Sequence, residues 1–221
     1  MCGRFAITMP TEAMAELFGA VPGNDLPGGP DYNICPTDTV TAVTSAEGLR
    51  RLRPMRWGFL PHWYKTPADG PLLINARADT VAQKPAFAAA ARQRRCLIPA
   101  SGFYEWQKGP QDARLPWYIA RSDGAPLAFA AIWQDWERDG HSLTTCAIVT
   151  TEANRAMQPV HHRMPVILDP DDWPLWLGEA GHGAAALMRP ARDGVLSLHR
   201  VGTAVNSNRA EGPELIEPLE T

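Results

Sequence analysis

Apolar and polar positions alternate with a period of two along much of this chain, and the period lengthens to that of a helix in only a few places. Phe5-Ala6-Ile7 reads as a short strand. Met14, Leu17 and Phe18 recur at helical spacing and predict a helix from Thr11, its expected N-cap, to about Ala20. Gly and Pro crowd the stretch from Val21 to Pro30, which reads as a loop. Strands are expected over Thr39 to Thr44 and Leu49 to Gly58. Leu72-Leu73-Ile74 is a short apolar strand running into Asn75-Ala76-Arg77. Pro85 suits the first turn of a helix that continues to about Arg92. A series of strands follows: Cys96 to Ile98, Phe103 to Gln107, Trp117 to Arg121, Leu127 to Trp133, Thr144 to Thr150 and Val166 to Leu168. Turn signals separate them at Lys108-Gly109-Pro110, Asp123-Gly124 and Asp139-Gly140. Short helices are expected after Thr151 and after Asp169, and a last strand over Leu196 to Val201. Strands outnumber helices and many are linked as hairpins. The predicted fold class is therefore α+β: one domain over residues 1–221, with a curled, mostly antiparallel sheet (a pseudo-barrel) and short flanking helices. Strand–helix alternation is too poor for a doubly wound parallel sheet.

Composition narrows the function classes. A net charge of −3 argues against coating duplex DNA through bulk charge, while leaving room for a local basic groove. No apolar run reaches the roughly 20 residues of a membrane span, and the first residues lack the pattern of a signal peptide. Cys2, Cys35, Cys96 and Cys146 are widely spaced and form no CxxC pair, which speaks for a reducing, cytoplasmic setting without a disulfide framework or a cysteine zinc site. No GxxxxGK[ST] or GxGxxG stretch is present, so the phosphoryl-transfer and dinucleotide motifs are missing; the expectation is no metal and no cofactor.

The candidate chemistry begins at the second residue. Removal of Met1 would give Cys2 an α-amine and a thiol on adjacent carbons, with reference pKa values of about 7.7–8.0 and about 8.5. Near neutral pH such an aminothiol takes an aldehyde as an imine, and the sulfur then closes a five-membered thiazolidine. Toward an acyl group the thiol alone could act. Gly3 lets a substrate approach the backbone. An ordinary small apolar residue near a terminus is the competing reading of Cys2. Four further stretches are polar where core is expected. Asn75-Ala76-Arg77 ends an apolar strand, and Asn75 can both donate and accept. Glu105 lies between Tyr104 and Trp106, where apolar neighbours would raise its pKa toward that of a proton shuttle; an outward, solvated Glu is the alternative. His161 and His162 on an extended segment face opposite ways, a poor metal pair, but one of them can serve as acid, base or orienter. Pro54 to Lys65 interleaves Arg56, His62 and Lys65 with Trp57, Phe59, Trp63 and Tyr64, a mixture suited to stacking bases of a single strand or, equally, to a core strand with a charged edge.

Together these stretches resemble the SRAP (SOS-response-associated peptidase) family of abasic-site processing proteins. The residues that carry the resemblance are Met1-Cys2-Gly3-Arg4-Phe5, Tyr32-Asn33 with Pro36, Trp57-Gly58 with Pro61 and Trp63, Asn75-Ala76-Arg77, Arg95-Cys96-Leu97-Ile98-Pro99, and Gly102-Phe103-Tyr104-Glu105-Trp106. Thr150-Thr151, His161 with Arg163-Met164-Pro165, and Val205-Asn206-Ser207 leading to Glu211-Gly212-Pro213-Glu214-Leu215-Ile216 complete the set. The resemblance implies a pseudo-barrel core, single-stranded DNA containing abasic sites as the partner, and a covalent crosslink from the N-terminal cysteine to the abasic aldehyde. Its catalytic set maps onto Cys2, Asn75, Glu105 and His161. Its DNA contacts map onto Arg4, Arg77, Trp106, Thr150, Arg163 and the Trp63 region. It further implies a monomer that works in the cytoplasm, at the nucleoid, with lyase activity and self-removal of Met1 as accompanying reactions. Two positions depart from the pattern: His162 stands where Asp is common, and Cys35 where a small aliphatic residue is common. Two other classes stay open on the sequence alone. One is a thiol peptidase or amidohydrolase with Cys2 as nucleophile, and the other is a non-covalent module for single strands with Cys2 incidental.

Overall fold

The computed structural model describes residues 2–219; Met1, on whose removal the aminothiol chemistry depends, lies outside them. In chain order the elements are β1 (Phe5–Ile7), α1 (Thr11–Phe18), β2 (Ala20–Pro22), β3 (Asp31–Ile34), β4 (Thr39–Ala46), β5 (Leu49–Trp57), β6 (Asn75–Arg77), α2 (Ala88–Gln93), β7 (Arg95–Ala100), β8 (Gly102–Lys108), β9 (Arg114–Arg121), β10 (Leu127–Arg138), β11 (His141–Glu152), β12 (Arg163–Pro165), α3 (Trp173–Leu177) and β13 (Leu196–Arg200), with short 3-10 turns between them. The larger sheet runs β12-β11-β10-β7-β4-β5-β2, and β5 returns to pair in parallel with β11, Arg56 opposite Thr145 and Trp57 opposite Cys146. That pairing closes β11, β10, β7, β4 and β5 into a five-stranded barrel. A second, five-stranded sheet runs β13-β9-β8-β1-β3. The α+β pseudo-barrel read from the sequence is the observed architecture.

The barrel strands are buried on both faces, which is why Leu127 to Trp133 reads as a continuous apolar run rather than an alternation. One face shares a core with the second sheet: Val40, Met55, Trp57, Ile98, Phe129 and Ile148 pack with Phe5, Phe103 and Ile119. The other face carries the helices, with Val43, Leu52, Leu97 and Val149 against Met14 and Phe18 of α1 and Trp173 and Trp176 of α3. Phe5 joins the two sheets. Its ring lies 5.1 Å from Trp57 and 5.9 Å from Phe129, both edge-on. Gly102 permits the second sheet's tight entry into β8, since a Cβ there would stand 2.7 Å from the Ile119 carbonyl oxygen.

Several local expectations are corrected. Thr11 is the first residue of α1 and makes no capping bond; Pro10 precedes it, and the helix ends at Phe18 because Gly19 adopts a left-handed conformation (φ 58°). Ala20–Pro22 pairs in parallel with β5, where a loop was expected from Val21. Asp31–Ile34 forms a strand against β1, its polar residues hiding the signal. The β10–β11 hairpin extends three to five residues further than the apolar run, turning at Asp139-Gly140. Its extension buries Trp136 against Leu60 and Tyr64. The helix expected from Pro85 begins at Ala88. Residues 155–160 form hydrogen-bonded turns, not a helix. Near the end of the chain Arg163–Pro165, not Val166 to Leu168, is the strand; Ile167 makes only an isolated bridge to Phe129.

Candidate functional site

Strand β1 fixes the start of the chain. Phe5 pairs with Phe103 and Ala6 with Gly102 of β8, and the Tyr104 N–H donates to the Arg4 carbonyl at 2.9 Å. Cys2 is thereby drawn fully inside the protein, at 0% exposure. Its carbonyl accepts a 2.8 Å hydrogen bond from the Asn75 side-chain amide. Asn75 stands at the start of β6, which pairs in parallel with β11, Asn75 opposite Ile148 and Arg77 opposite Thr150. The other polar atom of Asn75, Oδ1, is buried without a described partner.

Glu105 sits in β8 opposite Trp117 and is 2% exposed. Burial pushes its carboxyl above the usual carboxylate range. Burial, and then the Glu105 carboxylate nearby, push the Cys2 thiol well up, while the Arg4 backbone N–H bond to the sulfur acts the other way. A preformed thiolate is therefore disfavoured. His161 lies on the turn leading to β12. Its Nδ1 accepts from the Arg163 N–H at 3.0 Å and lies 3.1 Å from the Arg163 carbonyl. An Nδ1 that accepts leaves the proton of the neutral ring on Nε2. Burial also lowers the His161 pKa, which favours the neutral ring. His162 stacks on it, with ring centres 4.4 Å apart, so the two rings do not face opposite ways as expected: the segment bends here and is not an extended strand.

A cleft of about 620 Å³ opens over this region, lined by Gly3, Arg4, Glu105, Trp106, Arg114 and His161, among others. Trp106 forms one wall. Its indole N–H donates to Asn206 Oδ1 at 2.6 Å, and the guanidinium groups of Arg4 and Arg114 stand 5.7 and 4.8 Å from its ring. Arg4 has a second engagement, donating to Asn33 Oδ1 at 2.7 Å and to the Val205 carbonyl at 3.0 Å, which ties the C-terminal segment across β1.

The remaining expected contacts fall into two places. Arg163 donates to the Thr150 carbonyl at 2.6 Å and to its hydroxyl at 3.2 Å. Arg77 holds Asp79 through two bonds of 3.1 and 2.6 Å. Trp63 is 46% exposed on the loop after β5, with described ring contacts to His62 and Tyr64. Glu105 and His161 thus line one cleft together with Arg4 and Trp106, Cys2 is buried beside Glu105 and held by Asn75, and Arg77, Thr150 and Arg163 form a cluster reached along β6.

Three residues of this region were not singled out from the sequence: Gln107, Asp79 and Arg114. Gln107 donates to the Pro159 carbonyl at 3.0 Å and accepts from the Trp117 indole at 3.2 Å, so it ties the His161 turn to the strands that carry Glu105. Its position two residues beyond Glu105 in a strand places it on the same face, and that spacing was the available signal. Among the described residues no group of three or more His, Cys, Asp or Glu could hold a metal ion. No helix among them is long and apolar enough to cross a membrane.

A closed five-stranded barrel is joined by a second sheet that brings Cys2, beside the start of strand β1, close to the buried Glu105. Residues 1–208 match the family described as SOS response associated peptidase (SRAP), and the chain belongs to that family. It is 34% identical over 98% of its length to the abasic site processing protein YoqW of Bacillus subtilis, covering 99% of that protein. It is 32% identical to the abasic site processing protein YedK of Escherichia coli, covering 99% of this chain and all of that one. To the abasic site processing protein HMCES of Gallus gallus it is 30% identical, over 86% of this chain and 67% of the relative. A solved structure from Bacteroides thetaiotaomicron shares the fold with a TM-score of 0.87 at 22% identity, over 99% of this chain and 100% of that one.

Proposed function

We propose that this protein processes abasic sites in single-stranded DNA by forming a covalent thiazolidine crosslink through Cys2, so shielding the lesion. The observation that carries this reading is the anchoring of Cys2 by Asn75 beside the buried Glu105. The names of relatives that align along nearly the whole chain supply the lesion.

The chemistry requires loss of Met1 and a ring-opened sugar that presents its aldehyde. The Cys2 amine adds to the aldehyde carbon, forming a C–N bond and a carbinolamine. Water leaves to give an imine, and the departing hydroxyl needs a proton. Glu105, with its carboxyl raised by burial, is suited to supply it. The Cys2 sulfur then forms a C–S bond to the imine carbon while the thiol proton ends on the nitrogen. Sulfur and hydrogen add across one C=N bond, so no redox partner is needed. The sulfur attacks as thiolate once its proton has passed to the imine nitrogen, and acyl transfer in a peptidase would call for the same thiolate. Asn75 holds the Cys2 backbone in place. His161, neutral and carrying its proton on Nε2, is a donor to the sugar or a relay partner for Glu105. Trp106 and Trp63 offer rings for bases, and Arg77 and Arg163 offer charge to phosphates.

The test is denaturing electrophoresis of the purified protein with a single-stranded oligonucleotide that carries one abasic site. A species that survives denaturation, at the summed mass of protein and DNA, supports the reading. Its absence with fully Met1-free protein overturns it.

A further inference from the structure

Asp79 has no role in the crosslinking scheme, yet it occupies a telling position. Two arginines from different elements converge on it. Arg77 grips the carboxylate with both Nε and Nη2, at 3.1 and 2.6 Å. Arg163 Nη1 stands 4.0 Å from the same Oδ1 that Arg77 Nε holds. Arg163 is itself fixed in place by the Thr150 carbonyl and hydroxyl, its side chain only 11% exposed, and its Nε is buried without a described partner. The Arg77 hydrogen bonds hold the Asp79 carboxyl below the usual range, so it is an anion at neutral pH. A fork of two guanidinium groups around one anion is the arrangement that binds a phosphodiester.

The place along the site fits a strand. Asn75 and Arg77 are two residues apart in β6, on one face, so their side chains start about 6.6 Å apart. A nucleotide whose sugar reaches Cys2 and Asn75 would bring a flanking phosphate to Arg77. The grip on Asp79 is also weak enough to give way. Both partners are half exposed, at 58% and 50%, and exposed ion pairs contribute little.

We infer that Asp79 is a stand-in for phosphate: it fills the anion position between Arg77 and Arg163 in the free protein and yields it to a backbone phosphate when a strand binds. The inference rests on the DNA reading above and adds a device to it. The carboxylate keeps Arg77 aimed and offsets one of the two positive charges when no strand is present. It also competes with weakly placed strands, so that only one seated at the Cys2 site displaces it. The exchange leaves a signature in salt dependence. A phosphate arriving there loses its condensed cation, but the freed Asp79 carboxylate draws a cation back, so the net counterion release at that contact is small. Removing the carboxylate restores counterion release at that contact, worth a slope change of roughly 0.7 for a single strand.

The test uses an intact single-stranded oligonucleotide without a lesion, so that covalent chemistry does not enter. Binding is measured by fluorescence anisotropy across salt for wild type, Asp79→Asn, Asp79→Glu, Arg77→Gln and the double variant Asp79→Asn/Arg77→Gln, each with its melting curve to verify folding. Asp79→Asn should bind about two- to fivefold tighter at low salt, with a log–log salt slope steeper by about 0.7. Asp79→Glu, which keeps the anion, should keep the wild-type slope. The tighter binding should shrink when Arg77→Gln is added. Weaker or unchanged binding by folded Asp79→Asn, or a gain that survives undiminished in the double variant, overturns the exchange and leaves the DNA reading standing. Failure of the wild type to bind the oligonucleotide at low salt overturns both.

Discussion

The side-chain amide of Asn75 donates to the backbone carbonyl of Cys2 at 2.8 Å, across 73 residues of sequence. This bond crosses from the barrel, where β6 pairs with β11, to the second sheet, where β1 holds the start of the chain. It sets where the Cys2 backbone can lie relative to Glu105. Asn75→Ala should cost about 0.5–1.5 kcal/mol of stability by urea unfolding, the worth of one such bond. It should also slow single-turnover crosslinking while leaving affinity for an intact strand unchanged. An equal loss in both would move Asn75 from positioning to strand binding.

Glu105→Gln keeps the size of the side chain and removes its proton transfer. Crosslinking should slow by roughly 10²–10⁴-fold with strand affinity retained. Stability should change in the opposite direction. Burial raises the folded-state pKa of Glu105 above its unfolded value, so the folded protein binds more protons in the window between the two. Its contribution to stability is then fully present below the unfolded pKa of about 4.3 and is lost as pH rises through the folded value. Glu105→Gln should therefore melt higher than wild type at neutral pH and lose that advantage in acid. Parallel melting curves of the two proteins across pH check the sign.

Phe5→Ala tests how the fold holds the site. Phe5 is 1% exposed and packs edge-on against Trp57 and Phe129 where the two sheets meet. The expected loss is about 3–5 kcal/mol in chemical denaturation. Under conditions where the variant remains folded, crosslinking should fall further than strand binding, because the Cys2 segment loses its anchor. A loss below about 1 kcal/mol would mean that Phe5 is not the junction between the sheets.

Trp63→Ala separates binding from stability. The ring is 46% exposed, so its removal should change stability by no more than about 0.5 kcal/mol. If a base stacks on it, affinity for single strands should fall by roughly 5- to 150-fold, as measured by anisotropy. Unchanged affinity would take Trp63 out of the groove.

What the sequence disclosed follows from the range of each signal. The hairpins from Gly102 to Glu152 were legible because alternation and turn residues act over a few positions. Asp31–Ile34 was not, because Asp31 and Asn33 break the apolar pattern and only pairing with β1 makes it a strand. The turns over residues 155–160 carry apolar residues at helical spacing, yet Pro159 has no N–H to donate, so the bonds from Gln158 to Asn154 and from His161 to Met157 do not join into a helix. At the site, Cys2, Asn75, Glu105 and His161 stood out through residue type and through resemblance to the SRAP family. Their mutual contacts did not, since Asn75 reaches Cys2 only through the way the barrel closes. Asp79 passed unnoticed because an Arg-x-Asp stretch reads as an ordinary charged turn until Arg163 arrives from a distant strand.

The measurement that bears most directly on the central claim is adduct yield on an abasic single-stranded oligonucleotide, with and without borohydride. The proteins compared are wild type, Cys2→Ser and a form carrying extra residues before Cys2. Wild type, with Met1 removed, should give an adduct that survives denaturation without reduction. Cys2→Ser keeps the amine but lacks the sulfur that closes the ring, so its adduct should survive only when borohydride traps the imine. The extended form, lacking a free amine on Cys2, should give neither. A stable adduct from the extended form, verified by mass to remain unprocessed, would contradict the thiazolidine mechanism.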